Sequence, residues 1–220
     1  MQPADFIRTN VFSISVITAV VSFIVLTTLA TLFATDYDFI SETISALGTA
    51  NQKHSWILFL SGTIYSVFIQ GLIPLFYVSS KSIETKITNS ALILFYGLTG
   101  LGTSFFKVGN YNYIVGDFTE DRVHEILARL SFYSIWVLIA LSPITFKRID
   151  QFSLTKTFSV FVTPIVFITG IIFELNLQPE YRGLYQRFLF IIVMIWIVLA
   201  TQASQNLFSE TFKPRGNANG

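Results

Sequence analysis

With no cysteine in the chain, its capacity for chemistry rests on two histidines and on a set of carboxylates and guanidiniums. The densest segment is Glu120-Asp121-Arg122-Val123-His124-Glu125-Ile126-Leu127-Ala128-Arg129. A histidine beside a carboxylate is suited to general acid–base work. Glu125 and Arg129 stand four apart, the spacing at which helix neighbours pair. The acids Glu120, Asp121 and Glu125 also suit the positive end of a helix dipole. Arg129 lies one turn deeper and has the wrong sign for that role. The second segment runs from Thr35 to Gly48 (TDYDFISETISALG). At about 100° per residue, Asp38, Ser41, Ser45 and Gly48 share one stripe, and Ile40, Ile44 and Leu47 share an adjoining apolar face. It reads as a short amphipathic helix, capped by Asp38 and ended by Gly48 in the left-handed conformation. Its serines either permit close packing or, with Asp36 and Asp38, line a pocket. The third cluster is Glu174, at the end of an apolar run, with Glu180, Tyr181, Arg182, Gln186 and Arg187 following. An intramembrane carboxylate faces protein and takes a partner; Arg187 and Arg129 are the candidates.

These groups need a scaffold, and composition names it. Of 220 residues, 52% are hydrophobic and 12% charged, with a mean hydropathy of +0.62. A soluble domain carries about 25% charged residues, so too little polar surface remains here to cover a water-soluble globule. Six apolar runs stand out, near residues 11–34, 56–78, 89–106, 124–144, 158–175 and 187–205. A bilayer crossing takes about 20 such residues. In lipid every backbone N–H needs an internal partner, leaving helices or barrel strands. Barrel strands alternate polar and apolar over about 10 residues; these runs are continuous. The expected fold is therefore all-α, one polytopic bundle of six transmembrane helices with a short interfacial helix after the first. The first run exceeds the apolar core of a secretory signal and is read as a retained helix. Residues 207–220 are expected to form a flexible cytoplasmic tail.

Orientation follows the positive-inside rule. Arg8, Lys81, Lys86, Lys147, Arg148, Lys156, Lys213 and Arg215 fall on one side, and Lys53, Lys107, Arg122, Arg182 and Arg187 on the other. The first side is richer and is expected to be cytoplasmic, with both termini, in the cell membrane. Asp36, Asp38, Glu42, Asp117, Glu120, Asp121 and Glu180 then lie outside with all three polar segments.

Common catalytic signatures are missing: the chain has no Gly-rich phosphate loop, HExxH or GxSxG. Zinc usually takes three or four N, S or O ligands, and no spacing of Asp36, Asp38, His54 and His124 compels such a site. No metal and no cofactor is expected, and a net charge of +1 gives no field for nucleic acid. A Ser–His–Asp arrangement of Ser41 or Ser45, His124 and Asp36 or Asp38 is chemically feasible.

The run Tyr37-Asp38-Phe39-Ile40-Ser41-Glu42-Thr43-Ile44-Ser45-Ala46-Leu47-Gly48 resembles the signature of domain-of-unknown-function family 998, a group of uncharacterised bacterial and archaeal integral membrane proteins. Asp38, Ser45, Leu47, Gly48 and His124 match the family's Asp, its Ser-x-Leu-Gly motif and its later histidine, and Gly183-Leu184-Tyr185-Gln186-Arg187 is similar to its last-helix entrance. The resemblance covers nearly the whole chain and implies an architecture more than a reaction.

The leading expectation is an extracytoplasmic-side pocket built from Asp36, Asp38, Ser41, Ser45, His124, Glu125, Arg129, Glu174 and Arg187. It would bind a lipid headgroup or small anionic ligand, with arginines on the phosphate or carboxylate and membrane lipids as partners. The same cluster also reads as a structural ion-pair network. An alternative is an intramembrane hydrolase or transferase acting on a lipid, with catalytic candidates His124, Glu125, Asp38, Ser41 and Ser45. A second alternative is a small-solute or proton transporter relaying through Glu174 and Arg129.

Overall fold

A computed structural model describes residues 3–111, 113–115, 118–147 and 149–211, with side chains over 10–111, 118–147 and 149–208. Asp117, Arg148, Lys213, Arg215 and the side chain of Arg8 lie outside that description. The helices are α1 (Pro3–Phe33), α2 (Ser55–Phe68), α3 (Leu72–Ser79), α4 (Ile83–Phe105), α5 (Glu120–Thr145), α6 (Ser153–Glu174) and α7 (Arg182–Thr211). Five helical stretches are long and apolar enough to cross a membrane: Asn10–Phe33, Ser55–Ser79, Glu120–Thr145, Asp150–Glu174 and Pro179–Phe208. The sixth, α4, is 23 residues long. Its glycines, threonines and Asn89 dilute its apolar character because it lies against protein on two sides, packing on α2 and α3 and on α5.

The spans close a ring. Helix α1 packs on α2, α2 and α3 on α4, α4 on α5, α5 on α6, α6 on α7, and α7 returns to α1. The outer surface is apolar, as lipid requires: Leu32 and Ile144 are each 73% exposed and Phe161 67%. Between helices in a bilayer, attraction comes from close packing and interhelical hydrogen bonds rather than from the hydrophobic effect. Both are present. A Cβ at Gly100 would sit 3.0 Å from Ser66 Oγ. Ser142 and Ser159 share a hydrogen bond of 2.6 Å, and Trp196 Nε1 donates to Ser159 Oγ at 2.9 Å, joining α5, α6 and α7. The ring's interior differs at its two ends. Toward the Lys147 end it is filled by Phe76, Phe146, Phe152 and Trp196, with Phe146 stacked on Phe152 at 4.0 Å and Phe76 edge-on to Trp196 at 5.8 Å. Toward the other end it is hollow.

Several expectations need amending. The span at 55–79 is interrupted by a 3-10 turn, Ile69–Gly71. Pro74 has no N–H for the carbonyl of residue 70, so the regular ladder loosens one turn before it. The expected amphipathic α-helix after α1 is a single 3-10 turn, Ile44–Gly48, preceded by bends. Gly48 does not adopt a left-handed conformation; among the described residues positive φ occurs at Asp36, Gly109 and Asn176. Asp38 caps no helix but its own turn. Helices α5 and α7 begin four and five residues before their apolar runs (positions 124 and 187), because polar first turns extend the helix past the lipid. Helix α7 also runs to Thr211, so residues 207–211 are helical rather than tail. An antiparallel ribbon, β1 (Tyr113–Val115) with β2 (Phe118–Thr119), which the apolar pattern does not mark, joins α4 to α5.

Candidate functional site

The hollow end contains a cavity of about 400 Å³ whose lining comes from six helices and from the Ile44–Gly48 turn. Its upper wall carries Asp121, His124, Glu125 and Arg129 of α5, Glu174 of α6, and Arg182 and Gln186 of α7. Phe23, Phe132, Phe173, Phe190 and Leu189 supply apolar walls. Tyr65 and Tyr96, whose hydroxyls share a hydrogen bond of 2.7 Å, line its depth with Ser66 and Ser131.

Helix α5 presents its charges by a local device. Thr119 caps it, Oγ1 accepting from the Arg122 N–H at 3.2 Å, which satisfies one of the first-turn donors. Asp121 Oδ1 accepts from the Gly109 N–H at 2.7 Å, and Glu120 accepts from Asn110 Nδ2 at 2.8 Å. The first-turn acids therefore anchor the 106–119 connection rather than merely decorating a dipole. Arg122 pairs with Glu125 at 2.8 Å on the exposed side. Arg129 does not pair with Glu125; its Nε meets Glu174 Oε2 at 2.8 Å, bridging α5 to α6.

His124 is fixed from one side. Its Nδ1 lies 2.7 Å from the Phe106 carbonyl and 3.0 Å from the Thr103 carbonyl. Carbonyl oxygens only accept, so Nδ1 carries the proton. Nε2 is the ring nitrogen left to serve the cavity, as a base when bare or as a cation when protonated.

Arg182 stands on the rim without a carboxylate partner. Among the described residues it has no ion pair, and its guanidinium lies 5.1 Å from the centre of the Phe173 ring. Among the described residues, the Ser45 and Ser66 hydroxyls make no hydrogen bond, and both residues line the cavity.

Of the residues singled out from sequence, Ser45, His124, Glu125, Arg129 and Glu174 meet around this cavity. Asp36, Asp38, Ser41 and Arg187 do not line it. Asp38 organises its own turn: Ser41 Oγ donates to Oδ2 at 2.6 Å and the Ile40 N–H donates to Oδ1 at 3.0 Å. These bonds hold its carboxyl below the usual range. Arg187 clamps the same loop to α7. Its Nη1 donates to the Glu42 carbonyl at 3.0 Å and to the Gly183 carbonyl at 2.9 Å, its Nη2 to the Tyr37 hydroxyl, and its plane stacks 3.9 Å from the Phe39 ring centre. Burial raises the Tyr37 phenol above its ordinary value, against a smaller lowering by Arg187, so the phenol remains a neutral acceptor. The Gly183 and Leu184 N–H groups donate to the Ser41 and Ile40 carbonyls. Gly183 has to be glycine there, since a Cβ would collide with the Glu42 carbonyl. Tyr65 and Tyr96 were not among the sequence candidates, and Arg182, named in the third cluster, was not placed in the expected pocket. Arg182 precedes an apolar run, as interfacial arginines ordinarily do, and nothing in its spacing links it to α5. Among the described residues no group of three or more His, Asp or Glu stands together as metal ligands would.

Fold and site together define a multi-pass membrane helix bundle with a cavity at one end, charged on its upper wall and apolar on the others. The chain belongs to the family described as Protein of unknown function (DUF998), whose profile matches residues 17–203. No curated protein and no solved structure matches it.

Proposed function

We propose that this protein of the cell membrane binds a lipid headgroup or small anionic ligand in the cavity, which faces the extracytoplasmic side, with both termini cytoplasmic. The observation that carries the reading is Arg182: an exposed guanidinium on the rim of a cavity with apolar walls, with no ion pair among the described residues. Guanidinium geometry matches phosphate and carboxylate. Arg129, oriented by Glu174, adds a second donor face. The excess of lysine and arginine at the opposite end supports the orientation. To test it, phospholipid retained by the detergent-purified protein is quantified by mass spectrometry. Wild type is expected to hold lipid and the Arg129→Ala/Arg182→Ala double variant to lose most of it. A wild type that holds none, or a variant that holds as much, would sink the reading. A C-terminal reporter active outside the cell would reverse the orientation.

A second, enzymatic reading has one specific support. With Nδ1–H committed to two carbonyls, His124 offers Nε2 to the cavity in the state a general base requires. It would take a proton from water or a hydroxyl attacking a headgroup ester or phosphodiester. On this reading wild type releases headgroup from a labelled lipid and His124→Ala does not; equal release would remove His124 from the mechanism.

A further inference from the structure

The cavity does not end at His124. A second chamber of about 340 Å³ adjoins it between the upper parts of α2 and α4. The two share Phe23, Ser45, Gly62, Thr103, Val108, His124 and Phe190 as walls. The second chamber is mostly apolar, with Trp56, Leu58, Phe59 and Phe105 around it. Trp56, Phe59 and Phe105 are also among the exposed side chains of the bundle, at 60%, 40% and 58%. Its outer wall therefore lies on the lipid-facing surface, where α2 and α4 meet closely at Gly62 and Ser104. Phe59 and Phe105 meet there edge-on at 5.4 Å.

The charges around the two chambers are of both signs rather than uniformly basic. Glu125 is ion-paired by Arg122 and Glu174 by Arg129, which leaves Asp121 of one sign and Arg182 and Lys107 of the other with no ion pair among the described residues. Glu125 gives Oε2 to Arg122, and Asp121 gives Oδ1 to the Gly109 N–H. Each keeps a second oxygen for a ligand. A purely anionic head would bring like charge against these acids. A head bearing both a phosphate and an ammonium would satisfy both signs.

We propose, building on the headgroup-site reading above, that the occupant is a zwitterionic phospholipid. Its phosphate sits on Arg182, its ammonium on Asp121 beside Glu125, and one acyl chain lodges in the side chamber. Water-soluble head compounds then bind more weakly than the intact lipid, because the chain contributes burial the head alone lacks.

The test is competitive retention. Detergent-purified protein is equilibrated with equal amounts of phosphatidylethanolamine and phosphatidylglycerol of identical chains and examined by native mass spectrometry. The zwitterionic lipid is expected to be retained about tenfold over the anionic one, the scale of one charged hydrogen bond. Arg182→Ala and Glu125→Gln each reduce that retention by about the same factor. Arg182 is exposed and Glu125 partly so, and the folding of each variant is checked by circular dichroism. Ser45→Leu, which narrows the neck between the chambers, reduces retention of the diacyl lipid while glycerophosphoethanolamine still binds, as followed by calorimetry. Retention of phosphatidylglycerol equal to or above phosphatidylethanolamine would overturn the zwitterion and leave the headgroup site standing. Undiminished lipid retention by Ser45→Leu would overturn the side chamber. Retention of neither lipid would overturn both this proposal and the reading beneath it.

Discussion

Arg129 Nε lies 2.8 Å from Glu174 Oε2, so α5 and α6 are tied together by charge at the cavity wall. The two side chains remain 40% and 24% exposed. They are wetter than a core pair and drier than a surface one. A double-mutant cycle with Arg129→Ala and Glu174→Ala, read by thermal unfolding in detergent, is expected to give a coupling of about 1 kcal/mol. A coupling indistinguishable from zero would mean the pair holds nothing together.

Arg187 serves the loop rather than the cavity. Arg187→Ala removes two carbonyl contacts, the Tyr37 contact and the stack on Phe39. The expected cost is about 2 kcal/mol, since charged hydrogen bonds are lost while their acceptors stay partly buried. Hydrogen exchange is expected to quicken across residues 37–44 before any other segment. Arg187→Lys restores only part of it, because an ammonium cannot stack and fork at once. Uniform acceleration along the chain would instead show that Arg187 supports the whole bundle.

Asp38 gives that loop an acid response of known sign. Its carboxyl is held below the usual range, chiefly by the Ser41 hydroxyl and then by the Ile40 N–H. A group whose folded pKa is depressed contributes stability that is full above its unfolded value and lost as pH falls through the folded one. The Ile40 amide is thus expected to stay protected through mildly acid solution and to open only below the ordinary carboxylate range. In Asp38→Asn the response disappears. An Ile40 amide that opens at the same pH in both proteins would exclude Asp38 as its cause.

The tautomer of His124 is directly observable. Two acceptor carbonyls on Nδ1 require the proton there, so nitrogen chemical shifts of the neutral ring are expected to place hydrogen on Nδ1. A proton on Nε2 would contradict the anchoring.

Helix α4 depends on a close approach at Gly97. A Cβ there would meet the Gln70 side chain and come within 2.9 Å of the Ser66 carbonyl. Gly97→Ala is expected to cost about 2 kcal/mol, the range for forcing atoms into a packed interior. Gly97→Leu is expected to abolish the monodisperse species on gel filtration. Ready tolerance of leucine would mean α4 and α2 are further apart than described.

Sequence and structure agree where lipid imposes the rule. Val11 to Ala34 and Phe188 to Ala203 are apolar without a break because a bilayer leaves backbone groups no other partner, and such runs are legible one residue at a time. Part of the site was legible for the same reason: Glu174 ends such a run and Arg129 sits inside one, so each needed a partner. The 37–48 segment was misjudged because a helical stripe was assumed for Asp38, Ser41 and Ser45. Local side-chain bonds compete with helix at Asp and Ser, and here they turn the chain at Asp38 before the helix can start. Arg187 and Arg182 read alike in sequence, yet one is spent on backbone carbonyls and the other stands on the cavity rim with no ion pair among the described residues. That difference arises from contacts between Glu42 and Arg187, which stand far apart along the chain. No periodicity encodes it.

The stacked rings of Phe146 and Phe152, with Phe76 and Trp196 beside them, give the bundle a blind end. Vectorial passage of anything past His124 would require this aromatic stopper to be dislodged on every cycle.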